Sequence, residues 1–132
     1  MPAVDRNDAH RIVVLVVEDE PLVRLLMVEV LREAGFDVIE ARTADEGMKL
    51  LDREGAIRAV VSDIETPGQH DGFALAWHAR LRPSAKPVVL VSGQLVPAAD
   101  ELPSGTRFIQ KPVDPPILVR EVREAVLSQR AA

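Results

Sequence analysis

The stretch VVLVVEDEP (residues 13–21) joins five apolar residues directly to three acids and a proline. A Val-rich run of this kind is typical of a strand that is covered on both faces in a parallel sheet. Proline suits the first turn of a helix, so a helix is predicted to begin near Pro21. The acids therefore follow the carboxyl end of a strand, where open parallel α/β sheets bind their ligands.

The same succession of a short apolar run and a helical pattern occurs five times along the chain. Strands are predicted at residues 12–17, 38–39, 59–61, 88–91 and 108–109. Because strands and helices alternate, the sequence predicts an α/β domain with a five-stranded parallel sheet and helices on both faces.

The first predicted helix has apolar residues at helical spacing. This predicted inward-facing stripe consists of Val23, Leu26, Met27, Val30, Leu31 and Ala34. The charged residues of the helix are predicted to form a solvated face. They are Arg24, Glu29, Arg32 and Glu33.

Composition excludes several classes of protein. The chain has 132 residues, 47% of them hydrophobic, a net charge of -5 and no cysteine. The acidic balance argues against direct nucleic-acid binding and against attraction to anionic membranes. No apolar run approaches the roughly 20 residues that span a bilayer, so a cytoplasmic protein is expected.

Residues 1–10 are predicted to be a flexible tail and residues 11–130 a single domain, with no output domain after it.

The predicted strands deliver chemically active side chains to one edge of the sheet. The first strand is followed by Glu18 and Asp19, the third ends in Asp63, the fourth in Ser92, and the fifth leads to Lys111. Neighbouring carboxylates repel each other, and a bound cation removes that penalty. Oxygen ligands without Cys or His favour Mg²⁺.

Magnesium, an ammonium group and a hydroxyl together suit phosphoryl transfer, because they stabilise negative charge on the transferring group. A carboxylate can serve as the nucleophile and form an aspartyl phosphate. Asp63 is the best candidate because it ends the third and most central predicted strand.

These residues resemble the receiver domain of bacterial two-component response regulators. The resemblance covers about residues 11–129 and rests on the motifs VVEDE, VVSDIETPGQHDG, VSG and FIQKP, with 44 positions between Asp19 and Asp63. It implies a doubly wound, flavodoxin-like sheet with strand order 2-1-3-4-5.

The resemblance also implies a role for each site residue. Asp63 would accept a phosphoryl group from the phosphohistidine of a sensor histidine kinase or phosphotransfer protein. Mg²⁺ would be held by Asp19, Asp63, the backbone carbonyl of Glu65 and, through a water, Glu18. The chain would assist its own phosphorylation and dephosphorylation without being an enzyme that turns over a substrate.

Further implied roles concern the switch. Ser92 and Lys111 would each bind a phosphoryl oxygen, the Lys111–Pro112 peptide would be cis, and Phe108 would rotate on phosphorylation. Glu65 and Gln94 occupy the positions that tune hydrolysis in the family, and we predict fairly rapid self-dephosphorylation. The chain would signal by protein contact with a downstream protein, as a monomer or weak dimer.

Two features depart from the family pattern. Thr66 replaces the usual bulky apolar residue of the loop after Asp63, and only 19 positions separate Ser92 from Lys111. The shortening falls on the fourth helix, between the fourth and fifth strands, which is expected to be one turn or absent. The segment GQLVPAADELPSG (residues 93–105) would then supply the output surface, and loop ordering would be the switch.

Two alternatives remain open from the sequence. A receiver-fold binding module could work without phosphorylation, and the shortened fourth helix motivates this reading. A haloacid-dehalogenase-like phosphatase is suggested by the stretch DIET (residues 63–66), although Glu65 replaces the second acid of that motif.

Overall fold

The described residues form one sheet of five parallel strands. The computed structural model describes residues 11–81 and 85–131. The strands are β1 (Val13–Val17), β2 (Asp37–Ala41), β3 (Ile57–Asp63), β4 (Val88–Ser92) and β5 (Arg107–Gln110). Their order is β2-β1-β3-β4-β5, and every neighbouring pair is parallel. The predicted doubly wound fold is confirmed.

In the described part of the chain, four α-helices surround the sheet. They are α1 (Pro21–Glu33), α2 (Ala44–Arg53), α3 (Gly72–Leu81) and α4 (Pro115–Ala131). Helix α1 ends two residues before Gly35, whose φ of 100° is accessible to glycine at little cost. Helix α2 follows the N-cap residue Thr43, whose hydroxyl oxygen accepts a hydrogen bond from the Glu46 backbone N–H at 3.1 Å.

Two apolar clusters lie on the two faces of the sheet. Alternate residues of β1 point to opposite faces, as the strand period requires: Val14 and Val16 join one cluster, and Leu15 and Val17 join the other. The first cluster is covered by α1 and α4 and the second by α2 and α3. The sheet is therefore buried on both sides, which explains its continuous apolar strands.

The predicted inward stripe of α1 needs one correction. Leu26 was expected to face the core, but the residue is 52% exposed, whereas Val28 is buried at 1% exposure. Nine of the 13 residues of the helix are apolar, so the periodicity cannot select the buried face uniquely.

The connection between β4 and β5 contains a single 3-10 turn, Ala99–Glu101. This confirms the prediction of a reduced fourth helix. Two contacts hold the turn: the Trp77 indole N–H donates to the Glu101 carbonyl at 3.2 Å, and the Ala98 N–H donates to the Glu101 carboxylate at 2.8 Å. Leu102 packs against the cluster under α2 and α3.

Within the described ranges, no helix is both long and apolar enough to cross a bilayer. The predicted flexible tail, residues 1–10, lies outside the described residues.

Candidate metal-binding and active site

The carboxyl ends of the strands bring together the residues that the sequence singled out. Asp63 is the last residue of β3 and Ser92 the last of β4, while Glu18 directly follows β1. The Lys111 backbone N–H donates to the Ser92 carbonyl at 2.9 Å, which places the residue after β5 beside the end of β4. Parallel pairing thus gathers four side chains that are far apart in sequence.

Three carboxylates form one cluster at this edge. Glu18, Asp19 and Asp63 each offer one oxygen, and these oxygens lie within 4.8 Å of one another. Glu18 and Asp63 are buried at 1% and 7% exposure, and Asp19 is exposed. Two buried acids with an exposed third form a set of hard oxygen ligands that is open to solvent. That set fits Mg²⁺, which takes few protein ligands and retains waters.

Lys111 supplies the positive charge of the cluster. Its Nζ lies 2.9 Å from Glu18 Oε1 and 3.1 Å from Asp63 Oδ2. Burial alone lowers the pKa of Lys111, but its hydrogen bonds to Glu18 and then to Asp63 outweigh burial, and the pKa is raised. The ammonium therefore stays charged against both acids.

At Glu18, in contrast to Lys111, burial outweighs the effect of the hydrogen bonds on the pKa. Burial raises the pKa of its carboxyl, hydrogen bonds from Lys111 and the Glu20 backbone N–H lower it, and the charge of Asp63 raises it again. The net direction is upward, so Glu18 takes up a proton at a higher pH than an exposed glutamate does. A metal ion that binds here must compete with that proton.

Ser92 is fully buried, and its hydroxyl is oriented by the backbone that follows it. Its Oγ accepts hydrogen bonds from the N–H groups of Gln94 at 3.2 Å and Leu95 at 2.9 Å. Because the oxygen acts as acceptor in both contacts, the hydroxyl hydrogen remains available to a further acceptor.

Thr66 fastens the loop after β3 to the start of α2. Its Oγ1 accepts a hydrogen bond from the Ala44 N–H and donates one to the His70 carbonyl, both at 3.1 Å. An apolar residue at this position could make neither contact, so the departure from the family pattern has a structural use here.

Asp45, on the first turn of α2, holds the same loop. Its carboxylate accepts hydrogen bonds from the backbone N–H groups of Gln69 and His70 and lies 2.6 Å from His70 Nδ1. The backbone contact from Gln69 and the side-chain contact from His70 lower the pKa of Asp45. No local pattern in the sequence predicts this contact, because Gln69 and His70 lie 24 and 25 positions after Asp45.

Gly72 is required by the close approach of α3 to the end of β3. A Cβ atom at this position would lie 2.6 Å from the Asp63 carbonyl oxygen and from the Ile64 Cα. Any side chain would push against backbone, so the glycine allows α3 to begin directly behind the acidic cluster.

Arg24 was predicted to lie on a solvated helix face, and that prediction is wrong. Its side chain is only 15% exposed. Its Nη1 donates to the Glu18 carbonyl oxygen at 2.9 Å and its Nε to Glu40 Oε1 at 3.1 Å. The side chain folds back from the first turns of α1 over the ends of β1 and β2, and the helical pattern alone does not reveal this.

The remaining predicted site residues lie nearby or in the core. Glu65 and Gln94 are exposed, and the Glu65 N–H donates to Asp63 Oδ1 at 3.2 Å. Phe108 is partly buried against the cluster under α2 and α3. Their roles in metal binding, hydrolysis and switching stay predictions. The predicted cis peptide between Lys111 and Pro112 is confirmed.

Together the fold and the site define a receiver-type α/β domain with an acidic cluster at its functional edge. The chain belongs to the family of response regulator receiver domains, whose family model matches residues 14–123.

The chain is also similar to individual proteins. An uncharacterized 14.6 kDa protein in the sodA1 3' region of Leptolyngbya boryana is 31% identical over 120 residues, covering 87% of this chain and 90% of that protein. The transcriptional regulatory protein AruR of Pseudomonas aeruginosa is 31% identical over 133 residues, which cover 90% of this chain but 51% of AruR. The chain therefore spans about half the length of AruR.

Solved structures show the same fold. A response regulator receiver protein from Sinorhizobium medicae superposes with a TM-score of 0.81 at 26% identity, covering 90% of this chain and 97% of that one. The receiver domain of the hybrid histidine kinase CckA has a TM-score of 0.73 at 31% identity. The superposition covers 86% of this chain and 98% of that domain.

Proposed function

We propose that this chain is a phosphoacceptor of two-component signalling in which Asp63 accepts a phosphoryl group from the phosphohistidine of a sensor histidine kinase or phosphotransfer protein. The observation that carries the proposal is the placement of Asp63. Its carboxylate lies in one cluster with two further acids and 3.1 Å from the Lys111 ammonium.

Asp63 is suited to act as the nucleophile. In the transfer, a carboxylate oxygen of Asp63 forms a bond to phosphorus, the phosphorus–nitrogen bond breaks, and its electron pair returns to the imidazole ring. Lys111 lies beside the carboxylate and offers N–H donors to the arriving phosphoryl oxygens. The Ser92 hydroxyl hydrogen, which its two backbone contacts leave available, can donate to another of those oxygens.

Glu18, Asp19 and Asp63 would hold Mg²⁺ together with the Glu65 carbonyl. The bound ion would neutralise charge on the acids and on the transferring group. In its absence Lys111 alone faces two buried carboxylates, so phosphorylation should depend on the metal.

The chain would assist its own phosphorylation and the later hydrolysis, without turning over a separate substrate. Glu65 and Gln94 are exposed beside the site and polar enough to orient an attacking water. Replacing either by leucine should lengthen the lifetime of the phosphoryl group. An unchanged lifetime in both variants would contradict this role.

Intact mass spectrometry after incubation with acetyl phosphate and Mg²⁺ tests the proposal. One phosphoryl adduct is expected, and it should be lost in Asp63→Asn and when Mg²⁺ is chelated. Asp71 is an exposed acid of the loop between β3 and α3, and Asp71→Asn should keep the adduct. A folded, Mg²⁺-binding chain without any adduct would favour a phosphorylation-independent binding module, and sustained turnover of a phosphomonoester would favour a phosphatase.

A further inference from the structure

Arg24 connects the ends of two strands beside the acidic cluster. Its guanidinium donates to the carbonyl of Glu18, which follows β1, and to the carboxylate of Glu40 on β2. At 15% exposure, its side chain is largely withdrawn from solvent. An arginine that bonds two acceptors through separate nitrogens is held in one orientation.

The carbonyl that Arg24 binds belongs to the peptide between the first two acids. The other polar groups of Glu18 also have partners: its N–H donates to the Ala41 carbonyl, and its two carboxylate oxygens accept from Lys111 and from the Glu20 N–H. Arg24 thus completes the set of contacts that fixes the peptide plane leading into Asp19.

We propose that Arg24 is a positioning residue of the cation site. By holding the Glu18 carbonyl, it fixes the orientation in which the carboxylates of Glu18 and Asp19 face Asp63. The inference rests on the proposed function in one respect, namely that this cluster binds Mg²⁺.

Charge and geometry predict opposite effects when Arg24 is removed. Removing Arg24 takes a positive charge away from the neighbourhood of the cation site and leaves Glu40 unpaired. By charge alone, this change should tighten Mg²⁺ binding. Loss of the hydrogen bond that orients two ligands should weaken it, because partners that orient metal ligands typically contribute a factor of about 10 to 100 in affinity. The sign of the change therefore separates positioning from electrostatics.

The test measures the Kd of Mg²⁺ by isothermal titration calorimetry on the full chain. Arg24→Met keeps an apolar stem and removes the donors. We expect it to weaken Mg²⁺ binding about tenfold. Arg32→Met is the matched control, because it removes the same charge from an exposed position of the same helix. It should leave the Kd unchanged or slightly lower.

A second readout separates positioning from a damaged fold. At saturating Mg²⁺, Arg24→Met should be phosphorylated by acetyl phosphate to the same extent as the unaltered chain, whereas at low Mg²⁺ it should lag. If Arg24→Met does not fold, Arg24→Lys carries the test: it keeps the charge but cannot reach both acceptors. It should bind Mg²⁺ about threefold more weakly, a smaller loss than the full removal of an orienting partner.

Three results would overturn the inference. Arg24→Met, or Arg24→Lys in its place, could bind Mg²⁺ as tightly as or more tightly than the unaltered chain. Arg32→Met could weaken binding as much as Arg24→Met does. The unaltered chain could fail to bind Mg²⁺, which would also overturn the proposed metal dependence, whereas the first two results would leave that dependence intact.

Discussion

Lys111→Met removes the ammonium that contacts two carboxylates while keeping an apolar stem of similar length. In the structure, Nζ lies 2.9 Å from Glu18 and 3.1 Å from Asp63, whose side chains are 1% and 10% exposed. The variant therefore leaves two acids close together without their countercharge. We expect it to fold with reduced stability in the absence of divalent ions.

The size of the loss has an upper limit, because a carboxyl group can take up a proton instead of staying charged. One pKa unit corresponds to about 1.36 kcal/mol and an ordinary glutamate has a pKa of about 4.3, so protonating one acid at pH 7 costs at most about 3.7 kcal/mol. Breaking a buried ion pair typically costs about 3–5 kcal/mol. Since Lys111 is 24% exposed, solvent screens part of its effect. We expect a loss of about 2–3 kcal/mol at pH 7.

The pH dependence follows from the direction of the pKa change. Without Lys111, the pKa of Glu18, already raised by burial, rises further above its value in the unfolded chain. The folded variant then binds more protons than the unfolded one, so its stability falls as the pH rises above the ordinary glutamate pKa. At pH 5, protonating one glutamate costs at most about 1 kcal/mol. The loss of unfolding free energy in Lys111→Met should therefore be smaller at pH 5 than at pH 7.

Urea unfolding followed by circular dichroism measures the deficit at pH 5 and pH 7, with EDTA and with Mg²⁺. Added Mg²⁺ should narrow the difference at pH 7, because the ion replaces the missing countercharge. Lys49→Met, at an exposed position of α2, is the control and should stay within about 0.5 kcal/mol of the unaltered chain. A Lys111→Met variant as stable as the unaltered chain at pH 7 in EDTA, or a deficit independent of pH, would contradict the role of Lys111 as countercharge to the two acids.

Three further changes have predictable effects. Gly72→Ala should lower the unfolding free energy by about 2 kcal/mol, because its Cβ meets the Asp63 carbonyl at 2.6 Å; equal urea midpoints would contradict the close approach. Trp77→Phe removes the hydrogen bond to Glu101 and should cost about 1 kcal/mol, with faster amide exchange in the β4–β5 connection; unchanged exchange there would contradict this. Asp45→Asn should be less stable at neutral pH. Hydrogen bonds from the β3–α3 loop lower the pKa of Asp45, so its contribution is present above the ordinary carboxyl pKa and disappears as the pH falls through the folded value. A deficit that persists in acid would contradict that assignment.

The strands and the central acids could be predicted from sequence for a clear reason. Apolar runs such as β1 and β4 need two covered faces, and parallel pairing then places the residues that follow them at one edge. The predicted strand limits differ from the structure where a charged residue interrupts the apolar run. Arg58 lies within β3, which begins at Ile57, two residues before the predicted start.

The contacts that the sequence did not predict depend on the positions that side chains and loops adopt once the helices and strands are packed. The helical pattern places Arg24 on the charged face of α1, which is predicted to be exposed to solvent. In the structure its guanidinium instead donates a hydrogen bond to the Glu18 carbonyl. Thr66 and Asp45 act through hydrogen bonds that join segments more than 20 positions apart. Such contacts follow from the packing of α2 against the β3–α3 loop, which periodicity does not describe.

Locating the phosphoryl group itself tests whether Asp63 is the phosphoacceptor. After incubation with acetyl phosphate and Mg²⁺, borohydride reduction converts an aspartyl phosphate into homoserine, and peptide sequencing by mass spectrometry identifies the converted position. We predict homoserine at position 63 alone. Conversion at Asp19 or at Asp71, or none in a chain that carries a phosphoryl adduct, would contradict it.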